Sequence, residues 1–81
     1  MTRESIKKRV IELFHHMTET KEIEEITEYS ELIDDLEINS MDILFLISSL
    51  EEEFQITIPE KAIRKMVTIG DVVDIIAILD K

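Results

Sequence analysis

One glycine, Gly70, and one proline, Pro59, are the only strong backbone breakers in 81 residues. A many-turned β fold needs such residues at its reversals, so their scarcity turns the chain toward helices. The apolar residues agree. Ile6, Val10, Leu13, Phe14 and Met17 recur at three- and four-residue steps, predicting a helix over Arg3–Met17 that Thr2 can cap. The strongest pattern covers Ser40–Phe54. Advancing about 100° per residue gathers Ile43, Leu46, Ile47, Leu50 and Phe54 on one side. Asp42, Ser49, Glu52 and Glu53 lie largely opposite, and Met41 and Phe45 fall on that polar side. Asn39 is a good N-cap, and Asp42 places a carboxylate in the first turn.

Residues 18–39 follow no single period. They are acidic, with scattered Ile23, Ile26, Tyr29, Leu32, Ile33, Leu36 and Ile38. A loop of this length is unusual in a small domain. Its apolar residues predict that it is tacked onto the core, with a short helical turn around residues 29–33. Residues 55–59 read as a loop, since the alternating Ile56-Thr57-Ile58 has no strand to pair with. Pro59 can start a short third helix over 60–66, with Ile63 and Met66 inward. Thr68-Ile-Gly-Asp71 is a short capping-box pattern. It opens a last helix whose apolar face is Ile69, Val72, Val73, Ile76 and Leu79. The wealth of Val and Ile there also suits a strand, but length, cap and spacing favour helix. The expected fold is all-α: three main helices plus one short helix, with a long loop after helix 1. Residues 1–81 are expected to form a single monomeric domain. Its core would include Ile6, Val10, Phe14, Leu46, Ile47, Leu50, Phe54, Ile63, Val72 and Ile76.

Hydrophobic residues make up 44%, enough for such a core despite the charge. Asp plus Glu number 19 against 9 Lys plus Arg, a net charge of −10. Nucleic acid and anionic membrane surfaces would repel this chain, whereas basic protein surfaces complement it. Cysteine is absent, so there is no disulfide framework, thiolate ligand or thiol nucleophile. That fits a reducing, cytoplasmic setting. No apolar stretch approaches the roughly 20 residues that span a bilayer, and the opening run is charged, unlike a signal peptide.

Few side chains can do chemistry. His15 and His16 point about 100° apart on a helix and cannot share a metal as an i, i+4 pair does. They read as a solvated edge. Asp34, Asp35 and Glu37 lack the alternating ligands and turn glycine of a calcium loop, so only loose divalent binding is expected. There is no Gly-x-Ser-x-Gly, P-loop or glycine-rich dinucleotide turn. Neither an enzyme nor a dedicated metal site is indicated. Ser40 remains. It stands where the acidic segment meets the amphipathic run, at a helix's first turn. Free N–H groups and the positive end of the dipole there tolerate a covalently held phosphate. Serine is also common at helix starts with no function, so the surrounding residues must decide.

Those residues are Asp35-Leu-Glu-Ile-Asn-Ser-Met-Asp42, Leu50-Glu-Glu-Glu-Phe54 and Ile58-Pro59. Together they resemble the acyl carrier protein family, whose pattern is Asp-Leu-Gly-x-Asp-Ser-Leu-Asp, then an acidic cluster ending in Phe, then Ile-Pro. Leu36, Ser40, Asp42, Glu51, Glu52, Phe54, Ile58 and Pro59 match in order without a gap, and the resemblance covers nearly the whole chain. It implies a helical bundle in which Ser40 carries 4′-phosphopantetheine, transferred from coenzyme A by a phosphopantetheinyl transferase. Acyl groups would be held as thioesters on that arm and presented to enzymes of fatty-acid, polyketide or related biosynthesis. Those acyl-loading and acyl-processing enzymes would dock through basic surfaces. The contacts would fall on Asn39, Met41, Asp42, Phe45, Glu51 and Glu52. An aminoacyl or peptidyl carrier, or an unmodified helical interaction module, stands as the alternative. Three positions depart from the pattern: Glu37 replaces glycine, Asn39 aspartate and Met41 leucine. These suggest a specialised carrier. Phe45 stands where most members are polar. It either tucks against residues 18–39 or joins Met41 as an exposed apolar anchor.

Overall fold

Helices stand where the three- and four-residue apolar spacing runs unbroken. In the computed structural model, which describes residues 2–18 and 22–80, α1 spans Arg3–Met17. The Thr2 hydroxyl caps it, accepting from the Ser5 N–H at 3.2 Å. α2 spans Ser40–Phe54, and the Asn39 side chain accepts from the Asp42 N–H at 2.8 Å. α3 is the single turn Glu60–Ile63. α4 spans Ile69–Leu79 and opens on a capping box: the Thr68 hydroxyl accepts from the Asp71 N–H, and the Asp71 carboxylate accepts from the Thr68 N–H. Among the described residues the only β pairing is an isolated bridge between Glu31 and Thr68. The expected set of three main helices and one short one is present.

One core joins these elements. α1 contributes Ile6, Val10 and Phe14; α2 contributes Leu46, Ile47, Leu50 and Phe54; α4 contributes Ile69, Val72, Val73 and Ile76. Full burial of each such side chain is worth about 1.5–3 kcal/mol. α4 packs chiefly on α1. Arg3 clamps the seam from outside, with its Nε donating to Asp74 Oδ1 at 3.0 Å and its Nη2 to Glu28 Oε1 at 3.2 Å. Arg9 holds α1 to α2 with both Nε and Nη2 on the Glu53 carboxylate at 2.9 Å.

Two expectations need correction. The third helix does not run over 60–66. After Ile63 the chain tightens, with the Lys65 N–H donating to the Ala62 carbonyl and the Met66 N–H to the Ile63 carbonyl. Those are three-residue steps, which do not propagate an α-helix. Met66 is buried as expected, but Ile63 and Leu79 are only half-buried against the core, as is Ile43. The helical turn placed at 29–33 lies elsewhere. A 3-10 turn forms at Ile23–Glu25 and a turn at 32–36, while Tyr29 and Ile33 stand in solvent.

The long segment is nevertheless pinned. Ile26, Leu32, Leu36 and Ile38 are buried in the core. Its backbone is laced to the start of α4: the Leu32 N–H donates to the Val67 carbonyl at 2.9 Å, Ile69 to Ser30 at 3.0 Å and Gly70 to Glu28 at 2.7 Å. Glycine permits the last approach. A Cβ at residue 70 would meet the Glu28 carbonyl oxygen at 3.0 Å.

Candidate functional site

Ser40 is the first residue of α2, fixed there by the cap immediately before it. Asn39 has extended backbone angles, its side chain satisfies the Asp42 N–H and its carbonyl accepts from the Ile43 N–H at 3.1 Å. A helix's first-turn N–H groups have no intrahelical acceptor, and here the N–H groups of Ser40 and Met41 are in that position. The serine side chain is exposed, and its hydroxyl has no hydrogen-bond partner among the described residues. An exposed hydroxyl at the positive end of a fifteen-residue helix can accept a phosphodiester without burying its charge. The residues present therefore fit a covalently attached phosphate group.

The chain ahead of Ser40 is strained at one point. Glu37 has φ 55°, in the left-handed region that favours glycine. Nothing in the spacing of apolar residues signals this. The departure from the glycine of the resembling pattern did mark the position.

Met41 and Phe45 are 79% and 72% exposed, so Phe45 does not tuck against residues 18–39. Leu44, 62% exposed, completes the group one helical turn from both Ser40 and Met41. Sequence reasoning did not single out Leu44, although the helical angle places it only about 60° from Met41. The result is an apolar stripe beside the serine that continues into exposed Ser48 and Glu52 toward the helix's far end.

The acidic residues of α2 divide by partner. Glu52 is exposed and has no hydrogen bond or ion pair among the described residues. Glu51 is half-buried, and its carboxylate accepts from the Ile58 N–H at 2.8 Å while its carbonyl accepts from the Ile56 N–H at 3.1 Å. Its work is to fold residues 55–58 back onto α2. Glu53 is committed to Arg9, whose guanidinium hydrogen bonds hold its carboxyl below the usual carboxylate range. Asp42 is half-buried at the third helical position. Among the described residues no group of three His, Asp or Glu side chains converges to hold a metal, and no helix is long and apolar enough to cross a membrane.

Residues 8–76 match the family model for a phosphopantetheine attachment site. The acyl carrier protein of Wolinella succinogenes is 44% identical over 50 residues, which cover 62% of this chain and 66% of that one. The acyl carrier protein of Clostridium acetobutylicum is 48% identical over 52 residues, 64% of this chain and 68% of that one. The matched stretch thus spans about two thirds of these relatives' length. Among solved structures, the acyl carrier protein of Enterococcus faecalis superposes with a TM-score of 0.83 at 28% identity, covering 98% of this chain and 99% of that one. The apo doublet acyl carrier protein from prodigiosin biosynthesis gives 0.75 at 27% identity, covering 95% of this chain and 37% of that one.

Proposed function

The chain belongs to the acyl carrier protein family, and from that premise we propose that Ser40 is the residue through which it carries its cargo. It is a carrier and not an enzyme, and its cofactor is a covalently attached 4′-phosphopantetheine. When attached, that arm supplies a thiol on which acyl groups are held as thioesters. The chain's own contribution is the attachment point and the surface around it. The observation that carries the assignment is an exposed hydroxyl at the first turn of α2, without a partner among the described residues. In loading, the Ser40 Oγ attacks the pyrophosphate of coenzyme A. An Oγ–P bond forms, the P–O–P link breaks, adenosine 3′,5′-bisphosphate leaves and the hydroxyl proton passes to a base of the transferase. The first-turn N–H groups of α2 are the donors that would hold the attached phosphate group.

The family interacts with phosphopantetheinyl transferase and acyl-processing enzymes. For this chain we propose that such enzymes dock on the α2 face, in the cytoplasm, during fatty-acid or polyketide assembly. Met41, Leu44 and Phe45 form an apolar anchor beside the arm, and Asp42 and Glu52 steer a basic partner toward it. Glu51 belongs to this surface through the loop it holds. An acyl cargo is favoured over an aminoacyl one by the acidic residues of α2.

Incubation with coenzyme A, Mg²⁺ and a broad-specificity transferase tests the assignment. Intact-mass spectrometry should show one phosphopantetheine added to the wild type and none to Ser40→Ala, with both giving the same helical circular dichroism. An unmodified wild type, or a modified alanine variant, would overturn the role of Ser40.

A further inference from the structure

Glu37 pairs a backbone that calls for glycine with an exposed side chain that has no polar partner among the described residues. Past the turn at 32–36 the Ile38 N–H donates to the Leu32 carbonyl at 3.1 Å, and residue 37, immediately before that bond, is left-handed, so the backbone here calls for a residue that tolerates positive φ. Glycine meets that requirement without strain, whereas a side chain crowds its own carbonyl. Gln55, the other described residue with positive φ, has φ 53°, but it ends α2, where a left-handed residue is an ordinary helix terminator. The Glu37 side chain is exposed, and its carboxylate has no hydrogen bond or ion pair among the described residues. Among the described residues no hydrogen bond or ion pair of this side chain offsets the strain, so any return on the side chain comes from outside them.

Position says what lies outside. Three residues of chain reach at most roughly 11 Å, so Glu37 stands within that distance of Ser40. Even a weak protein–protein footprint of about 500 Å² on each side has a radius of roughly 13 Å. An enzyme whose active centre reaches the Ser40 Oγ therefore covers Glu37 as well. Enzymes that act on the cargo dock on the same α2 face but meet the thiol an arm's length away, so only the transferase must bring its active centre to the Ser40 Oγ itself. A carboxylate covered by a partner must be matched by a cation or be left desolvated and unpaired.

On the reading of Ser40 as the attachment point, we propose that Glu37 determines which phosphopantetheinyl transferase loads this chain, by pairing with a cation on that enzyme's rim. The adjacent position supports this. Asn39 caps α2 without charge, so Glu37 is the nearest carboxylate to the serine on its N-terminal side, ahead of the exposed Asp34 and Asp35. A transferase carrying an acidic or apolar rim there would be rejected.

The test loads full-length wild type, Glu37→Gln, Glu37→Lys and Glu37→Gly with the transferase of the protein's own host, coenzyme A and Mg²⁺. The expected result is a KM raised about three- to tenfold in Gln and Gly and further in Lys, with kcat within about twofold, because a rim charge acts on encounter and not on chemistry. The differences should shrink in about 0.5 M salt, where the pair is screened. Glu37→Gly should at the same time raise Tm by about 2–6 °C, which separates lost recognition from lost folding. Wild-type kcat/KM in both Gln and Lys would overturn the inference. Ser40→Ala runs alongside: loading of that variant overturns the attachment reading itself, whereas a blank there with unimpaired Glu37 variants sinks only the role of Glu37.

Discussion

Phe45 and Leu50 sit five residues apart on α2 and answer to different solvents. The Phe45 ring stands in water next to Met41 and Leu44, where a contiguous apolar surface favours association. Phe45→Glu should leave folding and Ser40 loading intact and weaken the acyl-loading partner by about tenfold or more, as expected for an aromatic anchor. Surface plasmon resonance against that partner checks it, and unchanged affinity would remove Phe45 from recognition. Leu50 is fully buried. Leu50→Ala removes its contacts with the core and leaves a cavity, at a cost of about 2–5 kcal/mol. That is a large share of the roughly 5–15 kcal/mol that holds a small domain together. Urea denaturation should show the loss as a lower midpoint with an unchanged slope. The apolar stripe predicted Leu50's burial. Phe45's exposure could not be read there, because an aromatic on the polar side of a wheel can be covered by any chain that happens to pass.

Among the elements, the start of α4 joins more of the molecule than its own helix. The Asp71 carboxylate accepts from the N–H groups of both Val67 and Thr68 at 3.0 Å. The backbone it fixes is the same one that receives Leu32 and donates to Ser30 and Glu28. Asp71→Ala should cost about 1–2 kcal/mol and lower Tm by about 5–10 °C. Amide exchange should quicken at Leu32, Ile69 and Gly70, on both sides of the lacing. If only the first turn of α4 loses protection, the lacing is independent of the cap. The capping box was legible because its residues are adjacent. The lacing was not, because residues 28–32 and 67–70 are distant in sequence and meet through backbone groups that every residue carries. The length of α3 was equally hidden. Its apolar residues fit a longer helix, and the three-residue closure at Lys65 and Met66 is set by how the chain must turn to enter α4.

For the molecule as a whole, a net charge of −10 on so small a body means self-repulsion that folding concentrates. Among the described residues the ion pairs, Arg3 with Glu28 and Asp74, Lys7 with Glu4 and Glu28, Arg9 with Glu12 and Glu53, and Arg64 with Glu60, all lie at the surface. Such pairs are worth about 0–1 kcal/mol each. Screening should relieve more repulsion than attraction, so added salt or Mg²⁺ should raise Tm; a Tm indifferent to both would show that repulsion is a minor term. Acid acts through Glu53. Its folded-state value lies below the ordinary 4.5 because of Arg9, so its contribution is complete above that value and is lost as pH falls through the lower one. Arg9→Met should therefore flatten the decline of Tm below about pH 4.5 relative to the wild type.

The sequence by itself determined the helices, their caps, most of the core and the place of Ser40 at the head of α2. Each of these rests on neighbours three or four residues apart, and local spacing is what a linear chain records. Only the tertiary structure decided the rest. It buried Ile26, Leu32, Leu36 and Ile38 while leaving Tyr29 and Ile33 in water. It committed Glu51 and Glu53 to Ile58 and Arg9 but gave Glu52 no partner among the described residues. It set Glu37 in a left-handed turn beside the serine. These outcomes depend on which distant backbone and charge each residue meets. That is fixed only when the helices pack and the long segment is pinned between them.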